Sequence, residues 1–303
     1  MNGNRSRVVL IKSKKVINSS GKVDLNLLQN MVAKGLSSLT SESDFRDAIS
    51  RFYSKKQTIG IKVNCLGGKM VATHPELCIT TVNLFEKAGF NKNKFLVWDR
   101  SNQELKEVGF SVNSKGKDFL CFGTDAQGVG YTRDLFAHKE IGSLFSRIIT
   151  DYTDAQINMP ILKDHALAGI TCGMKNYFGA IHNPNKYHDN GCDPFVADLN
   201  SMPQIKDKNK LVICDALRIQ CNGGPAYHPQ WSDLYGGVLI GTDPVAVDYV
   251  GYRIIERIRK NHNLSPLEKS GRKPNYIFTA ADKEHNLGNV GLEKIDLVEI
   301  NSG

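Results

Sequence analysis

Between residues 58 and 99 a buried apolar run, a helical pattern and a second buried run follow one another, and this succession constrains the fold more than any other feature of the chain. Residues 58–64 (TIGIKVN) are short, β-branched and bounded by Gly67-Gly68. After His74-Pro75 a helical pattern runs to Lys87 and stops at Ala88-Gly89, and residues 95–99 (FLVWD) form the second run. Strand, helix, strand at this spacing predicts a right-handed crossover and therefore a parallel sheet. The polar ends Asn64 and Asp99 then fall at strand carboxyl termini, where open α/β sheets place their ligands.

The same alternation extends in both directions. A strand is predicted over 8–11, a helix through Leu25, Leu28, Met31, Val32 and Leu36, and another helix over 44–53. Residues 110–149 carry no clear period. Beyond them the pattern predicts strands over 155–159, 211–214 and 237–241, a helical segment around 166–178, a helix over 244–260, and closing strands over 276–279 and 295–300. The expected fold is α/β, a mainly parallel sheet with flanking helices. Two α/β lobes around a cleft are expected, residues 1–150 and 151–303, the second carrying most motifs, with a single domain as the alternative.

Composition narrows the function classes. The chain has 303 residues, 41% hydrophobic and 23% charged, with 27 Gly against 10 Pro, which excludes a disordered or collagenous state. The net charge of +8 suits an acidic partner, but basic and acidic residues are interspersed and no aromatic stacking motif accompanies them, so nucleic acid is not expected. No apolar stretch approaches the roughly 18 residues of a membrane span. The first residues lack the apolar core of a secretory signal, and the chain as written is expected in the cytoplasm. Seven cysteines, an odd number without any C-x-x-C pair, point to reduced thiols and against an iron–sulfur cluster. Dinucleotide, P-loop, serine-hydrolase and zinc-protease signatures are absent.

Lysine, asparagine and histidine recur at predicted strand ends and turns. Lys62 and Asn64 alternate with apolar residues and share one strand face, either as an edge-strand lysine or as a cation aimed into a cleft with Asn64 as a neutral donor. Asn158 precedes Met159-Pro160-Ile161-Leu162-Lys163-Asp164-His165, where Lys163 supplies fixed charge and His165 titrates near neutrality. Gly173-Met174-Lys175-Asn176-Tyr177-Phe178-Gly179 offers a third Lys-Asn pair between glycines that permit close approach. Residues 182–193 hold His182, His188, Asp189, Cys192 and Asp193, whose side chains suit zinc or iron, although the His-x5-His spacing fits a substrate-covering loop better. Cys221 through His228 form a second polar loop in which Gly223-Gly224-Pro225 is turn chemistry first and an anion nest second. Asp215 is expected to end the strand over 211–214, Asp243-Pro244 to cap a helix, and Asp248 to sit buried one turn further on beside a lysine.

The order of these pieces resembles the uncharacterised family numbered 362 among the domains of unknown function. The resemblance rests on Ile61-Lys62-Val63-Asn64, His74-Pro75, Trp98-Asp99-Arg100-Ser101, the Lys163/His165 segment, Gly173 to Gly179, Asp215-Ala216 with Gly223-Gly224-Pro225, and Thr242-Asp243-Pro244-Val245-Ala246-Val247-Asp248. Members are often labelled iron–sulfur proteins because some carry ferredoxin-like cysteine runs, and some carry twin-arginine export signals; neither the iron–sulfur nor the export label is expected to transfer to this chain. The lysine- and histidine-lined arrangement is also loosely similar to the nickel-pincer lactate racemases, in which a lysine holds the cofactor and histidines move protons.

Two expectations follow. The first is an enzyme binding a small anionic substrate or cofactor, with Lys163, His165, Lys175 and His188 as catalytic residues. In that reading Lys62, Asn64, Asn176, Gly223 and Gly224 bind the substrate, and Asp99, Asp215 and Asp248 orient the lysines. The second is a metal protein holding a divalent transition metal (zinc, iron or nickel) on His182, His188, Cys192 and His228, with Asp189 or Asp193. A non-enzymatic module for an acidic partner would instead spread its basic charge over the surface.

Overall fold

The computed structural model describes residues 5–302. Strand β1 (Ser6–Lys12) turns Val8 and Leu10 to one face and Val9 and Ile11 to the other, and all four are buried, the mark of a strand covered on both sides. Helices α1 (Leu25–Thr40) and α2 (Phe45–Phe52) start on Asp24 and Asp44, whose carboxylates accept first-turn N–H groups. β2 (Ile59–Lys62), α3 (Pro75–Lys87, proline in its first turn) and β3 (Phe95–Trp98) make the expected crossover. α4 (Asn102–Val108), capped by Ser101, leads to the short β4 (Leu120–Cys121) and to the separate hairpin of β5 (Phe136–His138) and β6 (Ile141–Ser143).

The second half begins with β7 (Ala155–Asn158), β8 (Ile161–His165), β9 (Gly169–Thr171) and the single turn α5 (Gly173–Asn176). Short helices α6 (Phe195–Ser201) and α7 (Pro203–Lys206) precede two long strands, β10 (Asn209–Gln220) and β11 (Ser232–Gly241). Asp243 caps α8 (Pro244–Asn261), with Pro244 in the first turn, and α9 (Asn275–Ala280) and β12 (Ile295–Asn301) close the chain.

The main sheet runs β12-β1-β11-β10-β7-β2-β3-β4, all parallel except β11. Its two faces carry separate cores, one under α1, α2 and α3 and the other under α5, α6, α8 and α9, so the fold is a three-layer α/β sandwich. No helix among the described residues is long and apolar enough to cross a membrane.

Strand β10 sets up the site. Its first residues pair with β7 and its last with β8, so β8 continues the line of β7 and stands above the carboxyl ends of β2, β3 and β7.

Several expectations change. Strands of both halves interleave: β1 lies between β12 and β11, so the sheet is continuous across residue 150 and the cleft lies at the carboxyl edge of this one sheet. Residues 276–279 are helical, because Tyr276, Ile277 and Ala280 bury one helical face while Phe278 points outward; so short an apolar run does not reveal its period. The segment 166–178 is helical only from Gly173, since β9 pairs back on β8 through Lys163–Thr171 and His165–Gly169. Asp215 does not end a strand; it lies inside β10, which continues past a bulge between Ala216 and Arg218.

Candidate functional site

Parallel pairing puts three strand ends at one level. Lys62 of β2 is in register with Trp98 of β3 and Asn158 of β7, so Asp99, the residue after β3, lies beside Lys62. The Lys62 ammonium is wholly buried and donates to Asp99 Oδ1 at 2.8 Å, to the Val63 carbonyl at 2.7 Å and to Asn176 Oδ1 at 3.3 Å. Asp99 also accepts the backbone N–H groups of Cys65 and Arg100, so it is held from three sides. Asn176 donates to Asn158 Oδ1 and to the Lys62 carbonyl, and Asn158 donates to the Gly173 carbonyl. This polar net ties α5 to the strand ends.

On β8, Lys163 and His165 share one face by the two-residue period. Lys163 is 2% exposed, and its ammonium donates to the carbonyls of Leu66 and Val71. Burial lowers its pKa to about 8, against the pull of the Asp99 charge. Asp164, between them, faces the other way, accepting from Arg272 and the Gly224 N–H. His165 Nδ1 accepts the N–H groups of Leu167 and Ala168 at 3.2 and 3.1 Å in the β8–β9 turn, which places the proton of the neutral ring on Nε2. Burial, then the charge of Lys175 and the neighbouring His188 and Lys163, push its pKa down to about 2.

Lys175, on α5, is 6% exposed and has no carboxylate partner among the described residues. Its ammonium lies 3.3 Å from His188 Nε2 and 3.8 Å from the Phe178 ring centroid. Burial lowers this lysine also to about 8. His188 donates from Nδ1 to the Pro184 carbonyl at 3.1 Å, leaving Nε2 as an acceptor, and burial with the Lys175 charge lowers its pKa. The two imidazoles stack at 5.6 Å with 19° between planes, as neutral rings can.

These groups surround a cavity of about 100 Å³. Of the expected residues, Lys62, Asn64 and Asp99 reach it from the first half, and Lys163, His165, Lys175, Asn176 and His188 from the second. Its walls also include Phe178, Gly179 and the Arg100–Glu104 ion pair, closed at 2.7 Å. Arg100 follows Asp99 directly and Phe178 and Gly179 end the glycine-bracketed motif, so the sequence carried a cue to each. Since Lys62 is matched by Asp99 and Arg100 by Glu104, Lys163 and Lys175 are the surplus charge. Asn64 Oδ1 is buried there without a partner.

Other expected residues lie elsewhere. Gly224 packs its α-carbon so closely on Asp164 that an added Cβ would sit 2.1 Å from that carbonyl oxygen. Gly223 has φ +80° and leaves the same lack of space beside His228. Both build the loop structurally, and Pro225 is the residue of that loop that reaches the cavity. Asp215 meets no lysine; it accepts from the backbone N–H and Nδ1 of His74 at 2.7 and 2.8 Å. Burial works against protonating His74, but the charge and the hydrogen bond of Asp215, with the charge of Glu76, together outweigh it and raise its pKa. Asp248 also contacts no lysine: it accepts the Met174 N–H and the Tyr276 hydroxyl, anchoring α5 through its backbone, and burial raises its pKa to about 7.

The residues expected to ligate a metal are not brought together. His182 packs on Tyr131, His188 on Lys175, and His228 against the Gly223 turn, while Cys192 is buried. Asp189 is exposed, and Asp193 leaves one buried carboxylate oxygen without a partner. Among the described residues no three His, Cys, Asp or Glu side chains converge to hold a metal ion.

Gly179 offers a test of how tightly the Lys62–Asp99 pair is fitted. A Cβ there would lie 2.9 Å from Lys62 Nζ and 3.0 Å from Asp99 Oδ1. Gly179→Ala is expected to lower unfolding stability by roughly 1–3 kcal/mol in urea titration, the usual range for overpacking. Wild-type stability for this variant would show that the pair has room to move.

Fold and cavity together define a three-layer α/β protein with a cationic, imidazole-lined cavity at the carboxyl ends of parallel strands. The family model for the domain of unknown function 362 (DUF362) matches residues 59–253, which include every residue of the cavity wall, and the chain belongs to that family. No curated protein matches the sequence. Among solved structures, a Thermotoga maritima protein determined by a structural genomics consortium is similar at 12% identity and a TM-score of 0.45. The match covers 80% of this chain and 59% of that one, so it spans less than two thirds of that protein's length.

Proposed function

We propose that this protein binds a small anion in the cavity between Lys163 and Lys175 and exchanges a proton with it through His188, with His165 as a hydrogen-bond donor. The observation that carries this reading is two buried lysines without a carboxylate partner on one cavity wall. Buried ammonium groups are costly unless paired, and an anion entering from solvent supplies the missing charge. A cavity of about 100 Å³ suits a small occupant such as phosphate or a short carboxylate. His165 presents Nε2–H and His188 a bare Nε2, so one ring donates and the other accepts.

The charge argument fixes a pH dependence. The lysines must be protonated to hold an anion, and burial lowers their pKa values to about 8. Affinity for phosphate or lactate is expected to be highest below pH 8 and to fall at least tenfold by pH 9.5, as read by titration calorimetry. Anion binding that is equal at pH 7 and 9.5, or that survives Lys163→Met, would overturn the reading.

A further inference from the structure

Three buried lysines face one cavity, and their nearest neighbours separate them. Lys62 has a carboxylate at 2.8 Å. Lys163 is fastened by two backbone carbonyls, which favour its charged form. Lys175 has neither: its amine lies against the face of Phe178 and faces His188 Nε2, an unprotonated nitrogen that can take its proton. An amine desolvated in this way, next to a base and to a second cation, is the arrangement that makes a lysine nucleophilic.

We infer that Lys175 is a nucleophilic amine that forms an imine with a small 2-oxo acid held in this cavity. The inference rests on the anion site proposed above, with Lys163 holding the carboxylate and Lys175 attacking the adjacent carbonyl. The amine lone pair forms the C–N bond while the carbonyl π pair moves to oxygen, where His165 Nε2–H donates a hydrogen bond. His188 Nε2 carries a proton from nitrogen to that oxygen, giving a carbinolamine whose hydroxyl has Asn64 Oδ1 as an available acceptor. A second proton follows the same route as the C–O bond breaks. Water leaves, the nitrogen pair closes the C=N bond, and nothing is oxidised or reduced. Burial holds Lys175 at about pKa 8, so a useful fraction is neutral near physiological pH.

Borohydride trapping tests this on the full chain. Protein incubated with pyruvate and reduced with sodium borohydride is expected to gain one reduced pyruvyl group, mapped by peptide mass spectrometry to Lys175. The yield should rise with pH between 7 and 8.5, fall with competing phosphate, and vanish in Lys175→Arg. Mapping on the wild-type chain does not depend on the variant folding. No adduct at Lys175, or labelling spread over exposed lysines and unchanged in Lys175→Arg, overturns the inference. Calorimetry with lactate, which has the carboxylate but no carbonyl, separates the two readings. Lactate binding without a pyruvate adduct overturns the imine and leaves the anion site standing, whereas failure of both overturns both.

Discussion

Replacing Asp99 with alanine is expected to remove about 3–5 kcal/mol of folding stability, the range for stripping a buried charge of its partner. Lys62 is 0% exposed, and its remaining contacts would be one carbonyl, the Asn176 amide oxygen and the face of the Trp98 ring. The backbone N–H groups of Cys65 and Arg100 would lose their acceptor in the same step. Urea unfolding measures the loss. Adding Lys62→Met to Asp99→Ala should recover part of it, because the uncompensated ammonium goes while the unpaired N–H groups stay. A loss under about 1 kcal/mol, or no recovery in the double variant, would mean that this pair does not organise the strand ends.

Lys175→Met is expected to do the opposite to stability while removing function. At pH 7 the native state holds this ammonium against a burial cost that has pulled its pKa from 10.5 to about 8, equivalent to roughly 3 kcal/mol. A methionine of similar length keeps the packing on Phe178 and carries no charge, so the variant should be more stable by about 2–3 kcal/mol and no longer bind phosphate or lactate. The pH profile checks the cause. Below pH 8 the lysine is charged in both folded and unfolded chains, and the full cost is present. Between pH 8 and 10.5 the native state releases its proton first, so wild-type stability climbs with pH through that window. Lys175→Met should lack the climb due to this group. A variant that is destabilised and still binds anion would contradict both halves of the account.

The expected gain and loss come from one feature, a buried cation without a carboxylate partner among the described residues. Active sites commonly keep such destabilising groups, and here the fold absorbs the cost through two cores and a long sheet.

What the sequence made legible was local. The β-branched runs, the Asp243 cap and the Pro75 and Pro244 helix starts each act within a few residues, so they can be read without the fold. Lys62 stood out because a lysine flanked by Ile61 and Val63 is conspicuous, whether at a sheet edge or aimed into a cleft. Partner identity is a tertiary matter. That Asp99 serves Lys62 follows from β2–β3 register, and that Asp215 serves His74 rather than a lysine follows from the length of β10, which no period announces. The His182 to Cys192 loop carries ligand residue types, but among the described residues no three of them converge, and spacing within a loop does not reveal that. The continuity of the sheet across residue 150 was hidden for a similar reason: the β1–β11 and β1–β12 pairings join chain segments more than 200 residues apart.

The most direct test of the central claim is a high-resolution crystal structure of the protein soaked at pH 7 in lactate. The account predicts density for one anion in the cavity, with its carboxylate within hydrogen-bond distance of Lys163 Nζ and Lys175 Nζ and a further contact from His165 Nε2. A cavity filled only by water at saturating lactate, or an anion bound elsewhere with both lysines unchanged, would contradict it.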